Sequence, residues 1–268
     1  MLTSLCLGLA IGIILALTGA GGGILAVPLL VFGAHQSVAQ AGPISLLAVG
    51  MAAALGAILG LRARIVRYRA ALLISAVGML ASPVGLWLAY RVDNRWMTIL
   101  FAITLLFVAF RTFKQAGKLS ADQSHVDEEQ LPCVRDGESG RFFWTKRCAR
   151  ALCMTGGIAG ILSGMLGVGG GFVLVPALGR FTDLETKSIV ATSLAVITLV
   201  SASGVASSVV AGNLNWTVAQ PFAIGALLGM VGGRLVFARM AVHHLQKGFA
   251  ILSALVALGM VAKLVLFP

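Results

Sequence analysis

The stretch Gly19-Ala20-Gly21-Gly22-Gly23-Ile24-Leu25-Ala26-Val27-Pro28-Leu29-Leu30 returns as Gly167-Val168-Gly169-Gly170-Gly171-Phe172-Val173-Leu174-Val175-Pro176-Ala177-Leu178. The offset is 148 residues, and seven of the twelve positions are identical. Neither copy carries a charge, and each joins apolar segments too short to cross a bilayer alone. A glycine run can turn the chain tightly and leave its N–H groups uncovered, so that an anion can approach them. The apolar run that follows can wind into a short helix whose positive end faces the same point. Two such interruptions in corresponding halves of an apolar chain point to the binding site of a transporter.

Outward from these copies the register holds without a gap. Gly8 and Gly12 match Gly156 and Gly160, Ser45-Leu46 matches Ser193-Leu194, and Gly56 matches Gly204. Gly85 matches Gly233, Arg91 matches Arg239, and Phe101-Ala102-Ile103 matches Phe249-Ala250-Ile251. The chain is an internal duplication. Its first repeat is residues 1–118, its second is 149–268, and a polar linker, 119–148, joins them.

Hydrophobic residues make up 59% of the chain and charged residues 11%, against about 25% charged in soluble domains. An all-α, polytopic membrane protein follows. The net charge of +11 would suggest nucleic acid in a soluble protein. Here the basic residues stand at the ends of apolar segments, which is the cytoplasmic bias of membrane proteins, so no nucleic-acid partner is expected. Leu2–Leu17 lacks a basic n-region and has a repeat-mate deep in the chain, which makes it mature structure rather than a signal peptide. Cys6 and Cys153 lie in apolar segments, Cys133 and Cys148 flank polar sequence, and the spacing matches no metal or disulfide pattern. Four free thiols are expected.

The apolar segments are Leu2–Leu17, Ile24–Phe32, Val38–Leu61, Ala70–Tyr90 and Trp96–Phe110, then Ala151–Leu166, Phe172–Leu178, Ile189–Val210, Val218–Phe237 and Gly248–Leu266. Arg62, Arg64, Arg67 and Arg69 crowd one loop, whereas its repeat equivalent, Ala211–Trp216, is uncharged. Placing the arginine loop in the cytoplasm puts 17 of the 20 Lys and Arg there, with the linker inside and both termini outside. Equivalent loops then lie on opposite faces, as in an inverted repeat. Each repeat must cross an odd number of times, so its first two segments enter and leave on one side. Ile24–Phe32 is far shorter than the roughly 20 residues a span needs. A re-entrant or broken pair stopping near the midplane satisfies this; two strongly thinned crossings are the alternative. The two hairpins, entering from opposite faces, would meet.

Six of the nine acidic residues fall between Leu119 and Gly140, and Asp93, Asp183 and Glu185 are in loops. His35, His243 and His244 stand at segment ends. Proton relays and intramembrane cation sites need such groups inside the membrane, so no metal, cofactor or catalytic residue is expected. What remains is dipoles and hydroxyls, a site for a small anion. Its candidate residues are Gly19, Gly21, Gly22, Gly23, Pro28 and Ser45 in the first half. In the second they are Gly167, Gly169, Gly170, Gly171, Pro176, Thr192 and Ser193. Thr18 and Ser163 beside the loops, and Gln40 one turn before Ser45, are weaker candidates. Any of these hydroxyls could instead bond to its own helix or join helices. The stripes Gly8/Gly12, Gly156/Gly160/Gly164 and Gly225/Gly229/Gly233 fit close helix packing.

The doubled Gly-x-Gly-Gly-Gly-x3-Val-Pro-x-Leu motif, each copy followed by Ser-Leu in the next helix, resembles the sulfite exporter TauE/SafE family of membrane transporters. The resemblance covers both repeats and the linker. It implies transport of small sulfur-containing or organic anions, such as sulfite, sulfoacetate and sulfonates, across the bacterial inner membrane. The residues by themselves support a small anion. A gated anion channel with the same pore, or a membrane scaffold that moves nothing, are the rival readings.

Overall fold

The computed structural model describes residues 2–18, 22–34, 36–118, 133, 145–237, 248, 251 and 253–260. Almost all of them are helical. Helices α1 (Leu2–Thr18), α2 (Ala26–Gly33), α3 (Val38–Arg62), α4 (Tyr68–Arg91) and α5 (Asn94–Lys118) precede the linker. After it come α6 (Lys146–Leu166), α7 (Gly171–Phe181), α8 (Thr186–Val210) and α9 (Trp216–Phe237). A 3₁₀ turn, Gly22–Leu25, leads into α2. Among the described residues five helices, within α3, α4, α6, α8 and α9, are long and apolar enough to cross a membrane. At about 1.5 Å per residue the 8 residues of α2 and the 11 of α7 fall well short of a hydrocarbon core of about 30 Å.

Local signals set the boundaries. Ser37 accepts from the Gln40 N–H at 3.3 Å to start α3. Thr145 accepts from the Cys148 N–H at 3.1 Å to start α6, as N-cap residues do. Gly167, left-handed at φ 70°, ends α6 by donating its N–H to Ser163 O, the usual device for closing a helix.

The packing is set by missing side chains. A Cβ on Gly8 or Gly12 of α1 would strike the backbone at Phe222 or Ala226 of α9. Its repeat-mates behave alike: a Cβ on Gly156 of α6 would stand 2.5 Å from Ile74 O in α4, and one on Gly160 would stand 2.7 Å from Gly78 Cα. The glycine stripes are therefore helix–helix seams, as expected from the sequence. In both seams residue numbers rise together, so α1 runs parallel to α9 and α6 parallel to α4. The first helix of each half packs against the other half.

Between these pairs lie α3 and α8, which are repeat-mates of each other. Gly60 faces Ala191, Gly56 faces Leu194, Gly50 faces Ser201, and Gly204 faces Leu46. Numbers rise on one helix as they fall on the other, so α3 and α8 are antiparallel.

One sequence expectation is corrected. Cys133 and Cys148 are not free thiols but a disulfide, with Cα atoms 4.9 Å apart. Cys133 is held there because its N–H donates to Phe181 O at 3.1 Å, in a bridge to Thr182 at the end of α7. Fifteen residues of spacing gave no hint that the linker folds back onto α7. Cys6 and Cys153 are free, as expected. The rest of the linker, 119–132 and 134–144, lies outside the described residues.

Candidate functional site

Each Gly-rich stretch closes a helical hairpin. In the first, a Cβ on Gly22 would stand 2.6 Å from Leu15 N, and one on Gly33 would stand 2.6 Å from Leu7 Cδ1. The chain thus turns at the glycines and α2 returns along α1. In the second, α6 ends at Gly167, and Gly170 lies against α6, its Cβ position 2.8 Å from Ala159 O.

The two turns touch. A Cβ on Gly23 would stand 2.8 Å from Val168 O and 3.1 Å from Val49 Cγ1. Gly169 faces Ile197 of α8 and Val49 of α3, residues near the middle of those long helices. The meeting point is therefore at half the length of the antiparallel pair, enclosed by α3 and α8. Ser45 Oγ–H donates to Gly42 O at 2.9 Å and to Gly167 O, tying α3 of the first half to the loop of the second.

The second turn leaves donors open. Gly167, Gly169 and Gly170 are left-handed, at φ 70°, 77° and 70°. Residues Val168 to Phe172 are all buried. Among the described residues, their five consecutive N–H groups have no protein acceptor. Buried N–H groups are almost always paired, and an unpaired one costs about 1–3 kcal/mol. A run of them at the start of α7, where the helix dipole adds positive potential, is a place for negative charge.

Side-chain hydroxyls add to this. Ser82, Ser163, Ser193 and Ser201 are each 0% exposed, and none of their Oγ atoms has a hydrogen-bond partner. Ser201 Oγ lies 3.3 Å from the Cβ position of Gly169, and Ser82 Oγ lies 3.2 Å from that of Gly204, one turn along α8. Among the described residues these donors are neutral backbone N–H and hydroxyl groups.

The sequence-derived candidates divide. Gly22, Gly23, Gly167, Gly169, Gly170, Gly171 and Ser45 lie in or against the meeting turns, Ser193 is buried on α8, and Pro28 is buried in α2. Thr192 points elsewhere, accepting the Arg67 N–H at 3.1 Å near the α3–α4 loop. Pro176 lines an outward groove of about 440 Å³ with Phe107, Leu162 and Arg180. Gln40 is exposed. Gly19 and Gly21 lie outside the described residues, as does the side chain of Thr18. Sequence reading missed Ser201 and Ser82, which the duplication does not preserve: their repeat-mates are Ala53 and Met230. Their closeness to Gly169 and Gly204 in the fold is what marks them.

A family model described as Sulfite exporter TauE/SafE matches residues 4–260. A probable membrane transporter protein of Xylella fastidiosa is 26% identical over 259 residues, 92% of this chain and 90% of that one. The probable membrane transporter protein YunE of Bacillus subtilis is 26% identical over 230 residues, covering 83% of each. A probable membrane transporter protein of Methanocaldococcus jannaschii is 29% identical over 206 residues, 75% of this chain and 69% of that one. No solved structure matches the chain.

Proposed function

The chain belongs to the sulfite exporter TauE/SafE family, a family of multi-pass membrane transporters, and we propose that it is a secondary transporter of a small anion. The substrate class is a sulfur-containing oxyanion or an organosulfonate. The observation that carries this reading is the buried run of unpaired N–H groups from Val168 to Phe172, set where the two Gly-rich turns meet. An anion is the ligand that such a surface stabilises best.

The architecture we propose for it is two inverted repeats, 1–118 and 149–268, around that meeting point. Three observations support inversion: the antiparallel α3 and α8, the exchange of α1 and α6 between halves, and the opposed loop charges. The hairpins are then re-entrant, because α2 and α7 are too short to span and return along their partners. Irregular backbone at mid-depth is tolerated where it is buried in protein or lines a cavity. In a bacterial inner membrane the charge bias sets the linker and the Arg62–Arg69 loop inside and both termini outside. Alternating access is rocking of the outer helix pairs, α1/α9 and α4/α6, about the α3/α8 core.

The test is counterflow in proteoliposomes holding the purified chain, with sulfite, sulfate, thiosulfate, sulfoacetate and oxalate offered in turn. Saturable flux of at least one, accelerated by unlabelled substrate on the far side, is the expected result. Flux that neither saturates nor exchanges identifies a gated channel instead, and no flux of any of the five overturns the transport reading.

A further inference from the structure

Duplication makes the two Gly-rich turns look equivalent, but their surroundings differ in chemistry. At the second turn, Ser201 Oγ of α8 stands 3.3 Å from the Cβ position of Gly169; Ser163 lies in the last turn of α6 before it and Ser82 of α4 packs on Gly164 and Gly204, and all three hydroxyls are buried and unpartnered. Their repeat-mates in the other half are Met230, Leu15 and Ala53, none of which can donate a hydrogen bond through its side chain. The backbones differ too. The described part of the first turn, Gly22–Leu25, is wound into a 3₁₀ helix, whereas the second holds three left-handed glycines and opens its N–H groups.

Resting on the anion-transport reading above, we infer that the anion is bound off the pseudo-symmetric centre, by the second turn alone, with Ser201 Oγ–H as a direct ligand beside the N–H groups of Gly169 to Phe172. Gly169 is the reason Ser201 can serve. A side chain there would cover the hydroxyl, since a Cβ would stand 3.3 Å from Ser201 Oγ; glycine leaves it uncovered on that side. Ser201 is held in place because its Cβ packs on Gly50, whose own Cβ would stand only 2.8 Å away. The first turn acts as the opposite wall, closing the site through Gly23 against Val168. Ser45 is then a positioning residue: its proton is committed to the carbonyls of Gly42 and Gly167, and it holds the second turn to α3.

Stability and binding should respond to loss of the Ser201 hydroxyl in opposite senses. An orphaned buried hydroxyl is unfavourable in the empty protein, so Ser201→Ala should leave the thermal midpoint unchanged or raise it. The same change should weaken binding of an anion about tenfold to a hundredfold, the span for one hydrogen bond to a charged group. The experiment is thermal stabilisation of the full-length chain in detergent, titrated with sulfite and with sulfoacetate. Ser201→Ala is compared with Ala53→Ser, which adds the hydroxyl at the repeat-mate, and with the double variant. The expected result is a weakened response for Ser201→Ala, a response within about twofold of wild type for Ala53→Ser, and no recovery in the double variant. A wild-type response in Ser201→Ala, or recovery in the double variant, overturns the asymmetric site while leaving anion binding intact. A wild-type chain stabilised by neither anion removes the anion reading itself and this inference with it.

Discussion

Two left-handed glycines, two residues apart in the second turn, should fail in different ways when given a methyl group. At Gly167 the new Cβ would run into Gly42 Cα and stand 2.6 Å from Gly42 O. Those are backbone atoms of α3 and cannot move aside. At Gly169 the nearest atoms are side chains: Ile197 Cγ2 at 2.9 Å, Ser201 Oγ at 3.3 Å and Val49 Cγ1 at 3.4 Å. Both substitutions carry about 1–2 kcal/mol for a left-handed residue with a Cβ. For Gly167→Ala, overpacking adds about 1–3 kcal/mol, and loss of the Ser45 bond to Gly167 O adds roughly 1 kcal/mol. The total of about 3–6 kcal/mol reaches the lower part of the whole stability of a typical domain, about 5–15 kcal/mol. Gly169→Ala adds only a displaced rotamer of Ile197, about 0.5–1.5 kcal/mol.

Gly167→Ala should therefore be recovered poorly, aggregating or melting far below the parent in detergent. Gly169→Ala should be recovered as folded, monodisperse protein. Its methyl, however, stands over Ser201 Oγ and the N–H run, so sulfite or sulfoacetate should no longer raise its melting temperature. Size-exclusion profiles and thermal unfolding with and without anion measure both. A Gly169→Ala variant that binds like the parent would refute the placement of the anion, and a Gly167→Ala variant as stable as the parent would refute the contact with α3.

Single cysteines at Asn213 and at Arg67, in a cysteine-free background, should react with an impermeant maleimide from opposite sides of the membrane; reaction from one side would end the inverted assignment. The same labels decide orientation, because a disulfide on the linker favours an oxidising compartment while the charge bias favours the cytoplasm. Cys148→Ser should lower the thermal midpoint, since a bridge across 15 residues contributes about 3 kcal/mol in the chain-entropy picture; an unchanged midpoint in oxidised and reduced samples would mean the bridge does not form. Export from proteoliposomes should follow an imposed potential, worth about 2.3 kcal/mol per charge per 100 mV, and ignore sodium. Flux indifferent to voltage that instead tracks an imposed pH gradient, for a substrate that does not titrate in that range, would sink the uncoupled mechanism.

That last expectation rests on where the carboxylates are. Asp93 lies between α4 and α5, and Asp183 and Glu185 lie between α7 and α8. None is on a described membrane-length helix, so no fixed negative charge is available there to carry a proton or sodium ion through the cycle. A monovalent anion expelled by an interior-negative membrane gains about 2.3 kcal/mol per 100 mV and a divalent one twice that. The larger figure sustains roughly a thousandfold gradient. Neutral N–H groups and hydroxyls suit such a role, because a cation at mid-depth would hold the anion more tightly and slow its release.

The gross fold was legible because its signals are local. Apolar runs gave the helices, with α5 reaching beyond Phe110 to Lys118 where polar residues continue the winding. Glycine stripes gave the seams, and a short apolar run after each glycine cluster gave α2 and α7. Self-comparison at the 148-residue offset then picked out what both halves keep, and so it singled out Ser45 and Ser193. That same comparison conceals whatever only one half has. Ser201, opposite Ala53, and Ser82, opposite Met230, score as mismatches, although they are the hydroxyls facing Gly169 and Gly204. Duplication preserves the parts that both hairpins need to fold, such as the glycine turn and the helix seams. On the proposed off-centre site, the ligands come from positions where the halves have diverged. The Cys133–Cys148 bridge was hidden for a related reason: it depends on the linker returning to Phe181 and Thr182, which no periodicity or repeat encodes.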